Sequence, residues 1–163
     1  MPDDEGVESA DLDLPTLVTL TGPAIISRVL QGIADAGHSG VKPSHGYVIQ
    51  RLVTEEPTVG ALAESLGMTQ QGASKQVNDL EQLGYVERVG DENDLRVRYV
   101  RLTANGRAVL DAGRQARADL EREVVARVGQ RKVNAAKAAL VALLEITDLD
   151  QYIATRTVPL PDS

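Results

Sequence analysis

Residues 69–83 read Thr69-Gln-Gln-Gly-Ala-Ser-Lys-Gln-Val-Asn-Asp-Leu-Glu-Gln-Leu83, and this stretch carries two different faces. At about 100° per residue, Ala73, Val77, Leu80 and Gly84 share one stripe, while Gln71, Lys75, Asn78 and Gln82 share the other. The spacing predicts an amphipathic helix with an apolar seat and a face of amides and one ammonium. A carboxamide can pair bidentately with adenine and an ammonium can reach guanine or a phosphate, so the polar face has the chemistry of base-edge reading in a major groove. A solvated helix surface has the same composition, so the neighbouring sequence must decide between the two.

Upstream, Thr58-Val-Gly-Ala-Leu-Ala-Glu-Ser-Leu66 places Val59, Leu62, Ala63 and Leu66 at i, i+3, i+4 and i+7, a two-turn helix with one apolar face. Gly67 stops it and the hydroxyl of Thr69 is placed to cap the next, so two short helices meet across a turn. Downstream, residues 85–89 and 97–102 are rich in β-branched side chains and flank a polar tip, Gly90-Asp-Glu-Asn-Asp-Leu95. Helix, turn, helix and hairpin in that order predict a winged helix-turn-helix.

The chain here resembles the multiple-antibiotic-resistance regulator (MarR) family of transcription factors. The resemblance rests on Leu62-Ala63-Glu64-Ser65-Leu66-Gly67, on Ala73-Ser74-Lys75 with Leu80-Glu81 and Gly84-Tyr85-Val86-Glu87-Arg88, and on Asp91-x-x-Asp94-x-Arg96 running into Val100-Arg101-Leu102-Thr103-x-x-Gly106. It covers roughly residues 43–110. It implies a mainly α fold with a small β-hairpin, in which helices at both ends of the chain build a dimer around paired winged domains. The corresponding division is an acidic tail at 1–13, an N-terminal dimerisation region at 14–42, the winged domain at 43–102, C-terminal dimerisation helices at 103–150 and a tail at 151–163.

Composition sets the bounds. A chain of 163 residues has the length of one domain, and without Phe, Trp or Cys its core must be built from Leu, Val, Ile and Ala. The missing cysteines exclude disulfides, thiolate-ligated zinc and thiol oxidation switches. No apolar run approaches the roughly eighteen residues that span a bilayer, and the N-terminus is acidic where a signal peptide is basic, so the expectation is a soluble cytoplasmic protein with no membrane partner. The net charge of −7 is unusual for a DNA binder, but six acids lie within residues 1–13, and the remainder sets 17 bases against 18 acids. A near-neutral body implies modest DNA affinity that falls steeply with salt.

The flanks read as helices. Residues from Leu14 carry a helical pattern through Leu17, Leu20, Ile26, Val29, Leu30 and Ile33, and Gly22-Pro23 predicts a kink or a fresh helix start. A second helix is expected from Pro43 or Ser44 through Val53, with Ser44 as its cap. Thr103 should cap a long helix with Val109, Gly113, Ala116, Leu120, Val124 and Val128 inward, and small residues at 112, 113 and 116 invite a close neighbour. After Gly129 a last helix carries Val133, Ala136, Leu140, Leu143 and Leu144. Stripes this apolar exceed what one chain can cover, so a homodimer is expected.

Position by position, the resemblance gives base contacts to Gln70, Gln71, Ser74, Lys75 and Asn78, with Ser74 equally suited to a phosphate. Gly72 is either a close approach of backbone to DNA or a tolerated glycine. In the wing, Arg96 matches the arginine that enters the minor groove and Asp94 the acid that holds it, while Arg88, Arg98 and Arg101 are phosphate-contact candidates. Asn93 and Leu95 depart from the family pattern and imply a weaker minor-groove grip. A small-molecule effector, if bound as in the family, would meet His45, Tyr47 and Arg51; two histidines seven apart, His38 and His45, do not make a metal site. No metal and no cofactor are expected.

Catalytic constellations are missing: there is no phosphate-cradling glycine loop, no His-Glu-x-x-His, no Gly-x-Ser-x-Gly and no cysteine nucleophile. The expectation is therefore not an enzyme but a dimeric DNA-binding regulator, a repressor on a pseudo-palindrome that a ligand releases. The alternative is a winged-helix protein-interaction module that has lost DNA binding.

Overall fold

The computed structural model describes residues 11–91, 94 and 96–149. Its elements are α1 (Leu14–Asp35), α2 (Pro43–Arg51), α3 (Val59–Ser65), α4 (Gln70–Gln82), β1 (Val86–Gly90), β2 (Arg98–Leu102), α5 (Ala104–Val128) and α6 (Gln130–Ile146). The two acidic and C-terminal tails fall almost wholly outside the described residues.

Three threonines start three helices in the same way. Thr58, Thr69 and Thr103 accept the amides of Ala61, Gly72 and Gly106 at 3.2, 3.1 and 3.0 Å, each satisfying an amide that the helix itself cannot. Gly67 ends the α3 segment at φ +62°, where a side chain is strained, and the chain turns into α4. Strands β1 and β2 pair antiparallel, with Val86 opposite Leu102 and Gly90 opposite Arg98. A bridge between Thr58 and Tyr99, with the Val100 amide donating to Pro57 O at 2.9 Å, ties the wing to the start of α3.

The core beneath the winged unit is aliphatic as the composition requires. Ala73, Val77 and Leu80 of α4 are wholly buried with Val48, Leu62 and Val100, and Tyr85 is the one aromatic side chain among the buried core residues described. At about 1.5–3 kcal/mol per buried aliphatic side chain, this seat holds α4 in one rotation about its axis and thereby decides which of its residues face out. Helix α5 leaves the wing through a tight joint. Thr103 N donates to Tyr85 O at 3.1 Å, its hydroxyl donates to Gly84 O at 2.7 Å, and Gly106 packs so closely on Tyr85 that a Cβ would collide with that carbonyl oxygen. The expected close neighbour of the small residues on α5 is α1: a Cβ on Gly32 would lie 2.7 Å from that of Ala116, and one on Gly113 3.3 Å from Ile33 Cδ1.

Several expectations are corrected. Helix α1 runs through Pro23 without a fresh start. The carbonyl that Pro23 leaves without an amide belongs to Thr19, which is exposed and open to water. The same helix does contain a window long and apolar enough, by length and composition, to cross a membrane. Thr, Gly and Pro break the run of letters but scarcely change its hydropathy. Ser44 is not the cap of α2: the N-cap is Lys42, whose amide donates to Nδ1 of His45 at 3.2 Å, and the helix ends at Arg51 rather than Val53. On α5 the inward stripe is inward only as far as Leu120, since Val124 and Val128 are exposed within one chain.

Candidate nucleic-acid interface

Seating the apolar stripe of α4 against the core turns the other stripe outward. Gln70, Gln71, Lys75, Asn78 and Gln82 are exposed and Ser74 is half-buried. Together with Val59, Asp79 and Arg88 they line an open groove of about 820 Å³ along the helix. All five residues expected on the recognition helix are thus brought to one surface, and the chemistry available along it is amide, hydroxyl and ammonium. Gly72 has a local explanation that the sequence reading missed: a Cβ there would stand 3.1 Å from the capping hydroxyl of Thr69. Glycine leaves the cap undisturbed.

The wing arginines divide into three groups. Arg96 and Arg98 are exposed, and neither forms an ion pair among the described residues. Arg101 is paired across the hairpin with Glu87 at 2.8 Å, so its charge is largely answered within the sheet. Arg88 leaves the wing altogether: one guanidinium nitrogen pairs with Glu81 and the other donates to Asn78 Oδ1 at 2.6 Å, both on α4. Asp94 accepts the backbone amide of Arg96 at 2.9 Å, and Asp91 accepts the amide of Asp94 at 3.1 Å, so these carboxylates fold the tip as successive Asx turns. The Tyr99 phenol bonds to Asp91, which raises its pKa by hydrogen bond and charge. Asn93 and Leu95 lie outside the described residues.

Behind α4, a small polar cluster ties the groove to α2. His45 is buried at 1% exposure. Its Nδ1 accepts the Lys42 amide, so the proton of the neutral ring sits on Nε2, which is 3.8 Å from Asp79 Oδ2 and has no hydrogen-bond partner among the described residues. Burial lowers the His45 pKa most, the neighbouring Lys42 charge lowers it further, and Asp79 opposes both. Lys42 Nζ donates to Asp79 at 2.6 Å and holds that carboxyl below its usual range.

A second concavity, about 510 Å³, opens between α1, α2 and α5. Apolar residues such as Ile26, Val29, Ile33 and Leu110 line it, with Tyr47, Lys42 and Arg117 supplying polar atoms. Of the three residues expected around an effector only Tyr47 is here. His45 is committed to the α2 cap, and Arg51 pairs with Glu55 at 3.3 Å one helical turn away. Among the described residues no three acidic or histidine side chains gather as a metal site.

Residues 39–96 match a family model described as MarR family. No curated protein matches the chain. Among solved structures, the MepR–DNA complex of S. aureus is 18% identical over 82% of this chain and 98% of its own, with a TM-score of 0.64. YusO from Bacillus subtilis is also 18% identical, over 85% of this chain and 99% of its own at 0.67. The transcriptional regulator Tm0710 from Thermotoga maritima is 19% identical over 82% and 93% at 0.59. These likenesses place the six helices and hairpin in the winged-helix fold of that family.

Proposed function

We propose, from the match of residues 39–96 to the MarR family model, that the chain is a sequence-specific, DNA-binding transcription regulator of that family acting as a homodimer. The observation that carries this reading is the outward stripe of α4. Gln70, Gln71, Ser74, Lys75 and Asn78 line one open groove, flanked by a wing whose Arg96 is exposed. A helix with this face fits a major groove, and an arginine on the hairpin fits the adjacent minor groove, where a narrow width deepens the negative potential.

Dimerisation is supported by what one chain leaves bare. Leu20, Ile25 and Ile26 of α1, Val124 of α5 and Leu140, Val141 and Ile146 of α6 are exposed apolar side chains on the helices at the two ends of the chain. A second copy covers these faces and sets two copies of α4 toward successive major grooves of a pseudo-palindrome. Leu20→Asp with Leu140→Asp should shift the sedimenting species from dimer to monomer.

Repression released by a small ligand is the finer part of the proposal. The cleft between α1, α2 and α5 suits an amphipathic anion, because apolar walls meet Lys42 and Arg117. Lys42 also holds Asp79 on α4, so an anion that draws Lys42 into the cleft loosens the recognition helix from α2.

The test is capture of fragmented genomic DNA from the source organism by the purified protein at about physiological salt, repeated with Lys75→Ala plus Asn78→Ala. Enrichment of a few inverted repeats, lost in the variant, is expected. Each lost base contact should cost about 1–3 kcal/mol of discrimination. Enrichment of no sequence, even at lower salt, would turn the reading to a winged-helix protein-interaction module.

A further inference from the structure

The wing arginine nearest α4 does not reach toward a phosphate. Arg88 lies on β1 opposite Val100, and its guanidinium is turned onto the recognition helix, where Glu81 takes one nitrogen and Asn78 Oδ1 takes the other at 2.6 Å. Its side chain is 20% exposed, against 44% for Arg101 on the neighbouring strand. Because a guanidinium only donates, the orientation of the Asn78 amide is settled by chemistry: the oxygen faces Arg88 and the NH₂ is the free end. Asn78 is exposed and lines the groove that faces DNA.

That bond changes what Asn78 can read. A free asparagine pairs with adenine by donating to N7 and accepting from the N6 amino group, which requires both amide atoms to meet the base edge together. With one lone pair of Oδ1 held by Arg88, only the other is left for N6, and the wing rather than the base edge sets the plane of the amide, which disfavours that pairing. The remaining NH₂ is a donor only, and the base with two acceptors side by side on its major-groove edge is guanine, through O6 and N7. Lys75, one turn earlier on the same stripe, is likewise a donor only.

We propose that Arg88 is a specificity-determining positioning residue, which fixes the Asn78 amide from the wing so that it reads guanine rather than adenine. The proposal rests on the DNA-binding reading above and adds to it a base identity and a role for the wing in major-groove recognition. Glu81 completes the arrangement by neutralising the guanidinium, which removes Arg88 from phosphate neutralisation.

The experiment is selection of bound sites from a randomised duplex library with the parent, Asn78→Ala, Arg88→Met and Arg88→Lys, followed by affinity and salt titrations on the selected site. The position in each half-site where Asn78→Ala flattens the preference identifies the pair that Asn78 reads. A G·C pair is expected there, and Arg88→Met should move it to A·T by about tenfold with an unchanged salt slope. Arg88→Lys, which keeps a donor near Asn78, should retain the guanine preference. An A·T pair at that position in the parent overturns the proposal without any Arg88 variant. So does an Arg88→Met protein whose affinity falls equally for every sequence with a shallower salt slope, the behaviour of a phosphate contact. If the parent selects no sequence at all, the DNA-binding reading falls and takes this inference with it; selection of a site with no change on Arg88 substitution removes the inference alone.

Discussion

Replacing Gly106 by alanine puts one methyl group where the wing meets α5, and the cost can be worked from the contacts there. The new Cβ would collide with the Tyr85 carbonyl oxygen and lie 3.0 Å from its carbon and 3.1 Å from Leu102 Cδ2. Two of these three are backbone atoms, which cannot swing aside. Separation also pulls on the bonds that Thr103 makes from its amide to Tyr85 O and from its hydroxyl to Gly84 O. Overpacking costs about 1–3 kcal/mol, here at the upper end, and each hydrogen bond about 1, while alanine's better helix propensity returns about 1. The net is a loss of roughly 3–4 kcal/mol, a large share of a small domain's stability. Urea unfolding followed by far-ultraviolet circular dichroism, at one fixed protein concentration, should show the midpoint falling by more than about 1 M. Gly46→Ala serves as the comparison, since nothing lies within 4 Å of its Cβ position in α2, and it should raise the midpoint. A Gly106→Ala protein as stable as the parent would refute the close approach and with it the described joint.

Further outcomes follow from other contacts. Gly32→Ala should destabilise by about 1–3 kcal/mol by forcing α1 off Ala116, and Ala116→Gly in the same chain should restore much of the loss, as double-variant unfolding would read. His45 resists protonation when folded, so stability should be full above about pH 6.5 and fall as pH drops from there through the lowered folded pKa, because the unfolded chain then binds the extra proton. Unfolding midpoints between pH 7.5 and 5 should slope less in His45→Gln than in the parent; equal slopes would exclude His45 as the cause. Arg96→Ala should lower the slope of log affinity against log salt by about one unit, and Arg101→Ala by less, because Glu87 already answers that charge.

Local signals in the sequence carried most of the winged unit. The outward stripe of α4 was legible because Ala73, Val77 and Leu80 repeat at helical spacing, and the caps Thr69 and Thr103 because each stands just before an amphipathic run; the Thr58 cap was not read. What escaped was set by partners distant in sequence. The pairing of Arg88 with Asn78 and Glu81 depends on how β1 crosses α4, and the cap of α2 depends on a ring three residues inside it, where a serine closer to the start is the commoner choice. Of the two outcomes expected at Pro23, the fresh start is the one that fails: an exposed proline costs one hydrogen bond and a steric strain, which a long helix packed on α5 through Gly32 and Ile33 can carry. The pattern that marked Val124 and Val128 as inward is periodicity alone, which does not say whether the covering surface belongs to the same chain.

The joint at Thr103 and Gly106 also has a mechanical meaning. Two hydrogen bonds and a contact too tight for a methyl group make it a weld, and α5 beyond it is a beam of 25 residues, about 37 Å long at 1.5 Å per residue. A tilt of only about 5° along such a beam displaces its far end by roughly 3 Å, close to the axial rise of one base pair. The winged unit cannot absorb that tilt by swinging on its own hinge. Wherever the far end is clamped, small changes of angle there become changes in where α4 stands, and the spacing that a pair of such units can span is set by the stiffness of this one corner.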